Sequence, residues 1–168
     1  HHLQNSSGIK KALSILSILA FVCIIFYSTL HTGHESNKTS EKVALFIVNA
    51  ISDIFNLPPV KLHSGLFSAV NTIVRKLAHF MEYFILCGLF YFAFRIFNAS
   101  RSKAKLYSLI SIISLACIDE TVQSFVPGRD GKLTDILIDT SGALIALVII
   151  RLFEIIASRK RQGVEKNH

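Results

Sequence analysis

Six ionisable residues fall within or at the edges of three otherwise hydrophobic runs: His79 and Glu82 in one, Asp119 and Glu120 in the next, Asp135 and Asp139 in the last. Imidazole and carboxylate side chains act as general acids and bases and also ligate divalent metals. An Asp at the centre of a bilayer costs about 2.5–3.5 kcal/mol on insertion scales. Several together rival the roughly 5–15 kcal/mol that holds an ordinary domain folded, so pairing or a common task must offset them. The spacing favours a common task. His79, Glu82 and Tyr83 stand at i, i+3 and i+4, on one helical face. Asp119 and Glu120 precede Gln123 by four and three residues, so both carboxylates flank the direction in which Gln123 points. Asp135 and Asp139 lie one turn apart. A turn-rich loop over 126–132 carries Arg129 and Lys132, and Lys76 precedes His79 by one turn. Brought together, these residues make an acidic cup with a basic lip.

The elements that position them are membrane helices. The chain is 51% hydrophobic and only 17% charged, with mean hydropathy +0.50, too apolar for a water-soluble domain. Four stretches near the roughly 20 residues needed to cross a bilayer are predicted as spans: about 12–30, 77–97, 106–126 and 135–157. The fold class is therefore an all-α, four-transmembrane-helix bundle. In the first connection, 31–75, the apolar run over 43–57 ends at Pro58 and Pro59 and reads as a short helix at the membrane surface. A second amphipathic stretch over 64–75 should cover the mouth of the bundle. Residues 1–8 read as an expression-tag remnant, 9–157 as the membrane domain and 158–168 as a basic, disordered tail. Cys23, Cys87 and Cys117 each fall in a span and read as small buried apolar residues.

Eleven of the 18 Lys and Arg residues fall in the amino end, the 95–105 connection and the tail from Arg151, opposed only by Glu154 and Glu165. The positive-inside rule makes those segments, and both termini, cytoplasmic. The polar residues of all three spans then meet near the extracytoplasmic face. The net charge of +7 reflects orientation, with no nucleic-acid partner implied. Gly142 with Ala146, and Ser111 with Ser114, have spacings that let helices approach closely. His31, His34 and Glu35 form a further His-x-x-His-Glu group at the outer end of the first span, whose spacing permits a metal or an ordinary loop.

The three polar blocks, Lys76, His79, Phe80, Glu82 and Tyr83; Asp119, Glu120, Gln123, Phe125, Pro127 and Arg129; and Asp135, Asp139 and Gly142, resemble in order and spacing the VanZ-like family. The resemblance covers about residues 10–157. Asp139 departs from the pattern, since many relatives carry Asn there. The resemblance implies a small multi-pass protein of the bacterial cell membrane and a link to low-level resistance to teicoplanin, a lipid-tailed glycopeptide, without naming a reaction.

Three readings of the cup stand side by side. As a binding site it takes a membrane lipid, a lipid-linked envelope precursor or a lipoglycopeptide through Lys76, Tyr83, Gln123, Arg129, Asp135 and Asp139. As an enzyme it uses His79, Glu82, Asp119 and Glu120 as acid, base or metal ligands, with no Ser or Cys nucleophile motif and no cofactor or metal specified by the residues themselves. As a structural device its polar groups fasten the helices. Binding leads, because nothing in the spacing names a bond to be broken. A homodimer is compatible with so small a bundle.

Overall fold

The computed structural model describes residues 2–30, 33–55, 65–127 and 131–165. Five helices follow one another: α1 (His2–Leu30), α2 (Gly33–Phe55), α3 (Gly65–Ile96), α4 (Arg101–Gln123) and α5 (Leu133–Glu165). Four contain segments long and apolar enough to cross a bilayer: Ser7–Leu30, Gly65–Ile96, Arg101–Gln123 and Leu133–Lys160. Their outer faces carry unpaired large apolar side chains, among them Leu16, Ile85, Ile110, Leu137 and Phe153. Hydrocarbon accepts such a surface and water does not. The chain is a multi-pass membrane protein.

α3 is the hub, packed by α1, α2, α4 and α5. The core is thin, with Ile25, Tyr83, Leu86 and Ile112 set against small residues such as Ala116, Ala143 and Ala146. On α4 the buried stripe runs Ala104, Ser108, Ile112 and Ala116 at every fourth position, then continues into Asp119, Glu120 and Gln123. The same helical face that packs the bundle thus carries the carboxylates inward. On α5 the matching face is Asp139, Gly142, Ala143 and Ala146. A Cβ on Gly142 would overlap the Phe80 carbonyl oxygen and lie 3.2 Å from Phe80 C and 3.3 Å from Phe84 N. The missing side chain therefore sets how closely α5 approaches α3, as small residues do in membranes.

The α3–α4 turn is locally encoded. Asn98 adopts φ 64°, a left-handed conformation that Asn tolerates, and Ala99 N–H reaches back to Phe94 O at 3.0 Å. Ser100 then caps α4, its Oγ accepting from Lys103 N–H at 3.3 Å. At this end Glu154 of α5 is bonded by Lys105 at 2.7 Å and by the Tyr91 hydroxyl, with Arg151 at 3.6 Å and Arg101 at 3.9 Å.

α2 is the surface helix expected in the first connection. Ser40, Ala44, Val48 and Ser52 face inward at every fourth position, while Val43, Phe46 and Ile54 form an exposed apolar stripe beside the polar Lys42, Asn49 and Asp53. It starts at Gly33, well before the apolar run, and Pro58 and Pro59 lie outside the described residues.

Four expectations need correcting. The expected 64–75 stretch is, from Gly65 on, no separate element: it forms the first three turns of α3, because Ser68, Asn71 and Thr72 do not interrupt a helix, and Thr72 Oγ bonds back to Ser68 O at 2.9 Å. α5 continues through the basic stretch as far as Glu165, where no proline stops it. Cys23 and Cys117 are exposed and only Cys87 is buried, since the first two sit off the packed stripes. Likewise Ser108, and not Ser114, occupies the contact face of α4; Ser114 is exposed and bonds to Ile110 O at 2.9 Å.

Candidate functional site

The polar cluster sits at the end of the bundle where α4 finishes and α5 starts. From Lys76 to Arg95, α3 rises about 28 Å, close to the roughly 30 Å hydrocarbon thickness of a bilayer. These two basic residues bracket the buried part of the helix. Measured from Lys76, His79 is about 4.5 Å down and Glu82 about 9 Å down. Depths of this size still allow contact with headgroups and water.

His79 Nδ1 lies 3.5 Å from Glu82 Oε2, and these two side chains retain 22% and 28% exposure, so they form the open side of the cup. Tyr83, on the same face, is fully buried with its hydroxyl beside the Asp119 carboxylate. Asp119 is also fully buried. It accepts from the Thr29 hydroxyl through Oδ1 and from Gln123 Nε2 at 3.2 Å through Oδ2. Glu120 turns the other way and accepts Lys132 N–H at 2.7 Å through Oε2, holding the chain that leads into α5. Gly131 makes this possible, because a Cβ there would come within 2.5 Å of Glu120 O.

On α5, Asp135 pairs with Lys76 at 3.1 Å and forms the rim. Asp139, one turn deeper, is completely buried, and among the described residues neither of its oxygens has a hydrogen-bond partner. No Lys or Arg among them pairs with Asp119 or Asp139. One donor atom each from His79, Asp119 and Asp139 lies within 4.8 Å of the other two. Two ionised carboxylates at 4.8 Å repel by about 3.5 kcal/mol at an effective dielectric of about 20. Such a pair is relieved by a counter-charge or by a shared proton.

The family described as VanZ/LLP1 matches residues 14–154. The chain belongs to the VanZ/LLP1 family. No curated protein matches it, and no solved structure does. In this VanZ/LLP1 member the matched stretch contains the whole cup and, at the opposite end, closes on Glu154 and its basic partners.

The structure brings His79, Glu82, Tyr83, Asp119, Gln123 and Asp139 together, with Glu120, Lys76 and Asp135 on the loop side and rim. Lys76 meets Asp135 across the rim. Arg129 and His31 lie outside the described residues, as do the side chains of His34 and Glu35. Lys132 contributes its backbone N–H, and the residue is exposed. One residue escaped the sequence reading: Thr29, buried at the end of the apparently featureless first span. Its trace was a hydroxyl at i+4 from Ile25 and i+7 from Val22, on the stripe by which α1 packs against the core.

Proposed function

We propose that the protein binds the polar head of a cell-envelope lipid or lipid-linked amphiphile in this cup, at the outer face of a bacterial plasma membrane, with both termini cytoplasmic. By holding such a molecule it contributes to resistance to a lipid-tailed glycopeptide of the teicoplanin kind. The observation that carries the reading is the junction at Tyr83 of two unlike surfaces. Above it stand the ionisable side chains of α3, α4 and α5. Beside it runs an apolar groove lined by Val22, Ile25, Phe26, Tyr83, Leu86 and Leu115. A polar cluster directly beside this tight apolar crevice suits the headgroup of an amphiphile whose tail stays in the surrounding lipid. Lys76 and Asp135 would contact the head from the rim, with Gln123 deeper beside Asp119.

The test pairs a phenotype with chemistry. Wild-type protein and an Asp119→Asn variant are expressed to equal levels in a teicoplanin-sensitive bacterium, and susceptibility and extracted envelope lipids are compared. Protection by wild type, its loss in the variant and unchanged lipid masses support binding. Equal protection by both proteins overturns it.

A second reading, a membrane enzyme using the His and carboxylate groups on a lipid-linked substrate, is favoured by the buried, unpartnered carboxylate of Asp139. Buried groups of that kind concentrate at reacting centres. A new lipid species dependent on His79 would select this reading over the first.

A further inference from the structure

We infer that His79, Asp119 and Asp139 form a binding site for a divalent transition-metal ion. The donors come from three different helices, and one atom of each falls within 4.8 Å of the other two. Ligand atoms around tetrahedral zinc are about 3.4 Å apart, so small side-chain rotations close the site. A second observation points to an occupant independently of the clustering. Asp139 is completely buried, with both oxygens lacking a partner among the described residues. A carboxyl in such a place must either hold a proton or meet a cation, and the imidazole and second carboxylate beside it favour the cation.

The surroundings are those of a ligand set. Asp119 is oriented by the Thr29 hydroxyl and the Gln123 amide, while each carboxylate oxygen keeps a further lone pair for an ion. Glu82 Oε2 stands 3.5 Å from His79 Nδ1, near enough to orient the imidazole after a small rotation, as outer partners do around metal ligands. One nitrogen and two carboxylate donors suit zinc or manganese better than magnesium or calcium, which favour oxygen alone. Three protein ligands leave coordination positions open. The partly exposed side chains of His79 and Glu82 give a phosphate or hydroxyl group a route to an ion held there. The site stands on these residues whatever molecule enters the cup.

The full chain in detergent is stripped with a chelator, and binding of Zn²⁺, Mn²⁺ and Mg²⁺ is followed by titration and by metal analysis after dialysis. Because histidines elsewhere in the chain can also take zinc, the readout is the difference between wild type and Asp139→Asn. The variant should lack one tightly held equivalent, with that affinity lower by about tenfold or more, while Mg²⁺ binds neither protein tightly. Equal uptake by the two proteins overturns the inference. Should Asp139→Asn fail to fold, wild type alone decides. Zn²⁺ must raise the unfolding midpoint of the stripped protein, and Co²⁺ must give the visible absorption of a nitrogen and oxygen site. Absence of both, the result for two carboxylates that share a proton instead of an ion, equally overturns it.

Discussion

Gly142→Ala should loosen the bundle and disable the cup without touching any polar residue. The added methyl meets backbone, namely Phe80 C at 3.2 Å and Phe84 N at 3.3 Å, and overlaps the Phe80 carbonyl oxygen. No side chain can swing aside to make room, so α5 must move off α3 by on the order of 1 Å to restore ordinary van der Waals separations. Overpacking of this kind costs about 1–3 kcal/mol. Asp139 lies one turn from Gly142 and should move with α5, away from His79. The measurement is equilibrium unfolding in detergent, alongside Asp139-dependent zinc uptake. We expect a lower unfolding free energy and weaker uptake together, with Gly142→Leu worse on both. Wild-type stability in Gly142→Leu would refute the argument that this glycine sets the helix separation.

Thr29→Val keeps the shape of the side chain but deprives Asp119 of a buried donor, and should destabilise by about 1–3 kcal/mol, whereas Thr29→Ser stays near wild type in the same unfolding assay. The rim pair should matter little: the Lys76 side chain is 42% exposed, so Lys76→Met should shift stability by less than about 1 kcal/mol, and the small effect should shrink further in high salt. Orientation can be read by cysteine labelling in a background where native cysteines are replaced. Asp53→Cys and Lys132→Cys should react with an impermeant maleimide in intact cells, and Ser102→Cys only after permeabilisation; the opposite pattern would invert the topology.

How much of the site was legible depended on whether a residue broke the local pattern. His79, Glu82 and Tyr83 announced a shared face because ionisable groups at i, i+3 and i+4 stand out in an apolar span, and all three point inward. Asp119 and Glu120 were expected to converge, but their division of labour, one facing Tyr83 and the other holding Lys132 N–H, depends on the returning chain and has no local signature. Thr29 stayed hidden because one hydroxyl hardly changes hydropathy. Cys23 and Cys117 were misplaced for a deeper reason. In a membrane the lipid-facing surface is as apolar as the core, so periodicity does not say which side of a helix is inside. The continuity of α3 was masked by Arg75 and Lys76, which mark where the hydrocarbon begins and not where the helix does.

That excess length makes α3 a gauge of the surrounding lipid. The helix from Gly65 to Ile96 is about 48 Å long, whereas its two basic brackets fit a hydrocarbon layer of about 30 Å, leaving the first turns standing proud. Thickening the bilayer by lengthening its acyl chains would submerge His79 and Glu82 further, and thinning it would lift them toward water, at fractions of a kcal/mol per Å of mismatch. Wetting of the chamber is thereby coupled to the fatty-acid composition of the host membrane.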